Sequence, residues 1–249
     1  MDALTTAMPA DLPETGPAAP RPPSAFVDQL LRAPNDVLRA LGDGADLAAR
    51  TRVYLVAVLA CTATFGAALG FFRGGVQILF AAVKLPLATL LTLAVLVPLL
   101  HALNRALERP ADIARDVAAL MAAMARAALV LAAETPLLWA AHAVDVDYHH
   151  MIVLAVLTCG AAGLVGAWFL WRALSVERRG RLVVTALLLG TMAVVGTHSA
   201  WLFRPFIVRP RAERVVFMHP LEGSFSDAVE ESLDSARGHY RSHYQGSVP

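Results

Sequence analysis

Apolar residues gather in long stretches that contain almost no charge. Four stretches stand out, at residues 53–72, 74–104, 148–171 and 182–203. Each has at least 20 residues, which is the number that an α-helix needs to cross a hydrocarbon core of about 30 Å. Only Lys84 interrupts them. The pattern therefore predicts four membrane-crossing helices.

A fifth stretch, residues 117–144, is less uniform because Arg126 and Glu134 interrupt it and Pro136 predicts a kink. Counting it gives an all-α polytopic membrane protein with five transmembrane helices. Arg126 lies near the membrane midplane if the whole stretch crosses. If the first part lies along the membrane surface, Arg126 is among the headgroups and only residues 127–144 cross.

The N-terminal region divides into two parts. Residues 1–23 contain six prolines and no apolar period, which predicts a disordered tail. Residues 24–50 form an amphipathic segment in which apolar residues recur at helical spacing and Pro34 separates two short helices. Such a segment either lies in the lipid headgroup layer or packs on protein.

The bundle is predicted to occupy residues 51–204, and residues 205–249 form an extramembrane tail. Within this tail, Phe225, Val229 and Leu233 follow one another at intervals of four residues and predict a short helix.

Composition supports lipid as the solvent of this chain. Of its 249 residues, 57% are hydrophobic and 16% are charged, whereas about 25% are charged in soluble domains. The net charge of +1 removes the electrostatic case for binding nucleic acid. The first apolar stretch begins only at Val53, so a cleaved secretory signal is not expected.

Arginine placement predicts the orientation. With a cytoplasmic N-terminus, ten arginines flank the cytoplasmic helix ends and five the other ends. This predicts a bacterial inner-membrane protein with a periplasmic C-terminus. The four arginines that follow the fifth helix instead favour a cytoplasmic tail.

Lys84 and Glu134 are charged residues inside predicted spans. From the outer helix ends they lie about 10 and 15 Å deep at a rise of 1.5 Å per residue, so the sequence predicts an ion pair between them. The pair is either a static strut between helices or part of an ion pathway. The third possibility is that Lys84 extends to the interface without an acidic partner.

Small residues at helical spacing predict close helix contacts. They are Gly66 and Gly70 in the first helix, and Cys159, Gly163 and Gly166 in the fourth. The partner helix belongs either to the same chain or to a second copy.

The second helix contains Pro86 and Pro98, with Thr89 and Thr92 between them. These residues predict a helix that can bend, since threonine hydroxyls can satisfy the carbonyls that proline leaves without a donor.

Candidate metal ligands gather in the loop after the third helix. Asp145, Asp147, His149 and His150 could bind zinc or a similar ion, or could simply mark a polar membrane boundary. No cofactor is expected, and the motifs of common hydrolases, metalloproteases and nucleotide-binding enzymes are absent from the sequence.

The order of the parts resembles the bacterial Yip1-like membrane proteins. The resemblance rests on the cytoplasmic N-terminus, the segment FVDQLLRAPNDVLRAL, and five following helices. Separately, GGVQILFAAVKLPLATLLTLAVLVPLLHALN is similar to a pattern in uncharacterised polytopic bacterial proteins. Together they cover about half of the chain, and neither implies an activity.

The expected function is therefore non-enzymatic. We expect a scaffold, adaptor or accessory subunit that recruits partners through its termini, or a homo-oligomer, with anionic lipid at the arginine-rich inner loops. The alternative is a small transporter or channel component that uses Lys84 and Glu134. A lipid enzyme would have to use His101, His149 and His150.

Overall fold

Seven α-helices make up the computed structural model, which describes residues 22–108, 112–146, 148–174 and 178–202, together with Phe217. They are α1 (Pro23–Arg32), α2 (Pro34–Gly42), α3 (Leu47–Phe71), α4 (Val76–Ala106), α5 (Ile113–Ala143), α6 (Tyr148–Ala173) and α7 (Arg178–Leu202). No strand occurs in these residues. The all-α prediction is confirmed.

Five of the helices, α3 to α7, are long and apolar enough to cross a membrane. The predicted number of transmembrane helices is therefore confirmed. The less regular stretch forms one continuous helix, α5, whose 31 residues extend about 46 Å at 1.5 Å per residue. This helix is longer than a hydrocarbon core, so at least one of its ends extends beyond the apolar layer.

Each long helix packs against its neighbours in a closed order. α3 packs along both α4 and α5, α5 packs on α6, α6 contacts α7, and α7 packs on α4. The centre is filled by small and medium apolar side chains such as Leu96, Ala123 and Leu188. Near the centre, a cleft of only about 20 Å³ remains between α4, α5, α6 and α7.

The two short helices dock on this bundle. We call α1 and α2 the N-terminal platform, and the end of the bundle that carries them the platform face. Phe26 and Leu30 of α1 and Val37 and Leu41 of α2 are buried in the same core as residues of α3, α5 and α6. The apolar side of the predicted amphipathic segment thus contacts protein. Pro34 is the first residue of α2, where its missing N–H costs no hydrogen bond.

Aromatic contacts close the other end of the bundle, which we call the opposite face. The rings of Phe71 and Trp139 stack with centroids 5.0 Å apart, and His142 meets Phe71 edge-on at 5.6 Å. These contacts hold the end of α3 against the end of α5.

Two predicted regions lie outside the described residues. They are the N-terminal tail, apart from residues 22 and 23, and the C-terminal tail with its short helix, apart from Phe217.

Candidate functional site

Arg50, in the first turn of α3, joins the N-terminal platform to the bundle. The side chain is completely buried, with 0% exposed. It donates hydrogen bonds to Gln29 Oε1 (3.0 Å), the Ala45 carbonyl (3.3 Å) and the Tyr54 hydroxyl (3.4 Å). The guanidinium carbon also lies 5.0 Å from the ring centroid of Phe26. One cation of α3 therefore binds both α1 and the turn that follows α2.

Two further arginines bind the platform from other helices. Arg126 of α5 donates to the Leu30 carbonyl of α1 at 3.4 Å. Arg172 of α6 donates to Asn35 Oδ1 of α2 at 2.6 Å. We call Arg50, Arg126 and Arg172 the arginine clamp. Three transmembrane helices thus each supply one guanidinium to hold the same pair of short helices.

Arg126 and Arg172 share an aromatic neighbour, Trp168. Their guanidinium carbons lie 5.7 and 4.9 Å from its ring centroid, and Arg126 lies 5.7 Å from Phe169 as well. Because Arg126 binds a carbonyl of α1, its guanidinium is directed toward the platform. The first turns of α5 lie beside the first turns of α3, where Ile113 and Val117 line a cleft together with Leu47 and Thr51.

A second polar cluster joins the end of α4 to the start of α5. Buried Asp116 accepts a hydrogen bond from Asn104 Nδ2 at 2.7 Å, and its second oxygen lies 3.0 Å from His101 Nδ1. Sequence reasoning did not single out Asp116. The signal was present, because His101 and Asn104 share a helix face and an acid follows in the first turn of the next helix. This cluster fastens two helix ends.

The prediction of an ion pair between Lys84 and Glu134 is wrong. Among the described residues, the ion pairs join Asp28 with Arg32, Asp36 with Arg39 and Asp116 with His101.

The physical reason is the position of α3, which lies between α4 and α5 at this level. Gly66 of α3 faces α4 at Ala81, while Phe65 packs in a cluster with Leu138 of α5. Equal depth in the membrane therefore does not bring the two charges together.

The neighbours of Lys84 include two aromatic rings. Its side chain is completely buried, and the ammonium nitrogen lies 5.1 Å from the ring centroid of Phe217 and 6.0 Å from that of Phe80. The two rings meet edge-on at 5.1 Å. Phe217 thus brings one residue of the C-terminal region to α4 near the opposite face.

The environment of Glu134 is separate. Among the described residues, no donor forms a hydrogen bond with its buried carboxyl oxygen Oε2.

The small residues divide into two groups. A Cβ atom on Gly70 would lie 2.5 Å from the Gln77 carbonyl oxygen, and one on Gly66 would overlap Ala81. Gly166 similarly faces the backbone of α5. By contrast, Cys159 is exposed and a Cβ on Gly163 would meet no atom within 4 Å. Close backbone contact is therefore seen at Gly66, Gly70 and Gly166, whereas Gly163 only lines the narrow cleft between α4, α5, α6 and α7.

Pro86 and Pro98 both lie within the continuous helix α4. Thr89 and Thr92 donate to the carbonyls of Leu85 and Ala88. Since proline at position i deprives the carbonyl at i−4, the carbonyls concerned are those of residues 82 and 94. The prediction that the threonine hydroxyls satisfy the carbonyls left without a donor by proline is therefore wrong, because both threonines donate to other carbonyls.

The predicted metal loop is only partly described. Asp145 has a positive φ of 54° and is exposed, as is His150. The side chains of Asp147 and His149 lie outside the described structure. In the part that is described, no three His, Cys, Asp or Glu side chains form a group that could hold a metal ion.

Comparisons with protein-family models, with curated proteins and with solved structures found no match for the chain.

Proposed function

We propose that this protein is a non-enzymatic membrane adaptor that presents its N-terminal platform to a partner protein at the inner membrane. The observation that carries the proposal is the burial of Arg50 against α1 and the turn after α2. Burying a charged group is costly unless it is fully hydrogen-bonded. A helix pair that served only as a lipid anchor would not need such a connection to the bundle.

The outward side of the platform carries both signs of charge. Asp28 pairs with Arg32 at 2.6 Å and Asp36 with Arg39 at 2.5 Å, and all four side chains are solvent-exposed. Exposed pairs contribute little to stability. Arrays of fixed opposite charges do give specificity to protein association, which supports a folded polar partner.

The test is quantitative co-purification of tagged full-length protein in mild detergent. Asp28→Arg with Asp36→Arg changes the platform surface, whereas Glu108→Arg reverses an exposed acid in the turn after α4. We expect the double variant to lose at least one partner by about tenfold, the cost of one well-formed charged contact. The Glu108 variant keeps that partner. An identical set of proteins, in amounts within about twofold for all three forms, rejects the adaptor proposal.

The competing function is a transporter or channel component, which the complete burial of Lys84 within α4 favours. The discriminating variant is Lys84→Ala in proteoliposomes. A transporter would lose solute or ion flux while the amount of inserted protein stayed constant. An adaptor would show background flux both with and without the substitution.

A further inference from the structure

Arg126 and Arg172 place two positive charges beside one indole ring. Their guanidinium carbons lie 5.7 and 4.9 Å from the centroid of Trp168 and are therefore at most about 11 Å apart, and like charges at such a distance repel. Among the described residues, neither arginine forms an ion pair. The acids on the neighbouring α1 and α2, Asp28 and Asp36, are already paired with arginines of their own helices. Among the described residues, the arrangement therefore has a local excess of positive charge.

Both guanidiniums keep N–H donors that form no hydrogen bond with the described part of the chain. A guanidinium has five N–H donors, and within the described residues Arg126 donates one hydrogen bond, to Leu30, and Arg172 one, to Asn35. Both side chains are only half-buried, and Trp168 is 50% exposed. The unused N–H groups can thus reach a group outside the bundle. A tetrahedral oxyanion matches the planar fork of arginine in geometry and charge.

Along α6, the side chains near the two arginines change from charged to aromatic to apolar, in the order of the layers of a membrane. Arg172 lies in the last turn of α6, and Trp168 lies one turn deeper. Leu164 and Leu157 continue the same helix face and are 73% and 64% exposed. Tryptophan is enriched at the level of the headgroups, and exposed leucines below it contact lipid tails. A charged end followed by an aromatic and an apolar strip matches a phospholipid along its length.

We propose that Arg126 and Arg172 together bind the phosphate group of an anionic membrane lipid, whose acyl chain lies along α6 below Trp168. The bound phosphate offsets the repulsion between the two guanidiniums. Because the same arginines hold α1 and α2, lipid binding stabilises the docked platform. This inference stands independently of the adaptor proposal.

The experiment titrates the full-length protein in nonionic detergent with short-chain phosphatidylglycerol or phosphatidylcholine and counts bound lipid by native mass spectrometry. The wild type is expected to prefer phosphatidylglycerol by about tenfold or more, the effect of one charge-assisted hydrogen bond. Arg126→Gln and Arg172→Gln each reduce this preference, and the double variant abolishes it. Helicity by circular dichroism shows whether each variant is folded.

Three controls separate a site from a general charge effect. Arg105→Gln removes an exposed arginine from the last turn of α4 on the same face, and should keep the preference. Asn35→Ala removes the protein partner of Arg172 but not its charge, and should also keep it. Arg172→Lys retains the charge even if the glutamine variant does not fold, and should keep part of the preference.

Several results would overturn the proposal. One is a loss in Arg105→Gln equal to that of the double variant, which would show a diffuse charge effect. Another is a loss in Asn35→Ala, which would show that Arg172 acts only by holding α2. A third is that inorganic phosphate displaces phosphatidylglycerol completely and stabilises the wild type equally well, which would assign the site to a soluble phosphate.

Discussion

Arg50 and Arg52 show how two neighbouring arginines at one membrane boundary can differ completely. Arg50 is buried and Arg52 is exposed. Residues two positions apart on an α-helix differ by about 200° around the axis. Arg50 therefore points toward the platform and Arg52 away from it. The excess of arginine near helix ends could be read from the sequence. Which arginine turned inward could not, because that depends on where α1 docks.

Replacing Arg50 tests the hydrogen bonds of the clamp. Arg50→Leu leaves the acceptors of Gln29 and Ala45 without this donor, and should destabilise the platform by about 2 kcal/mol. Limited proteolysis of the detergent-solubilised protein should show faster cleavage in residues 22–46. The matched variant Arg52→Leu should change stability by less than about 0.5 kcal/mol. Equal cleavage rates in the two variants would contradict this role of Arg50.

Gly70 provides a second test at the level of one residue. Gly70→Ala places a methyl group against the backbone of Gln77, which cannot move aside as a flexible side chain could. We expect a loss of about 1–3 kcal/mol from overpacking between α3 and α4. Gly163→Ala meets no atom within 4 Å and should be neutral or slightly stabilising, since alanine favours helix. Thermal unfolding in detergent measures both, and equal midpoints would contradict the prediction.

The N-terminal platform shows what an amphipathic pattern leaves open at the scale of a helix. Its apolar period and the break at Pro34 were readable, because both follow from helix geometry and the missing N–H of proline. The period alone does not distinguish a lipid surface from a protein surface, since both accept an apolar face. Hydrogen bonds from three arginines on α3, α5 and α6 hold the platform against protein. These arginines are separated from the platform by up to 137 residues of chain.

Leu30 and Leu31 form a matched pair for testing this docking. Leu30 is 0% exposed and Leu31 is 51% exposed. Leu30→Asp would bury a carboxylate among apolar side chains, so α1 should undock and its amide protons should exchange faster with solvent. Leu31→Asp should leave exchange nearly unchanged. If α1 rested on lipid instead, both substitutions would weaken its protection to a similar degree.

The order of the helices around the bundle also escaped sequence reasoning. A rise of 1.5 Å per residue gives the depth of Lys84 and Glu134, and charge-free windows give the number of helices. Neither gives the rotation of a helix about its axis or the identity of its neighbours. Since α3 lies between α4 and α5, the predicted pair does not form. Asp116 escaped notice for the related reason that a first-turn acid also favours the helix dipole without any partner.

At the scale of the whole molecule, five consecutive crossings place the start of α3 and the end of α7 at opposite faces of the bundle. Ser24 lies on the platform face, and Val144, which is 73% exposed, lies beyond the end of α5 on the opposite face. Arginine placement predicts that the platform face is cytoplasmic.

Labelling with a membrane-impermeant maleimide checks this topology. Cys61 and Cys159 are first replaced by alanine, and Ser24→Cys or Val144→Cys is then introduced. In intact cells with a permeable outer membrane, only Cys at position 144 should react, and position 24 should react after lysis. Three helices, α3, α4 and α5, lie between the two positions. Labelling of both positions from one side would therefore contradict three crossings between them. The reverse result rejects the predicted orientation alone.

The arginine clamp can form only after most of the chain has been synthesised. α1 and α2 leave the ribosome before the five long helices, yet Arg126 follows Leu30 by 96 residues and Arg172 follows Asn35 by 137. At about 5–20 residues per second, Asn35 waits roughly 7–27 s for Arg172 to be synthesised. During that interval the nascent chain exposes the apolar sides of both short helices. Whatever receives the chain during translation, whether insertion machinery or a chaperone, therefore meets Phe26 and Leu30 before the mature molecule conceals them.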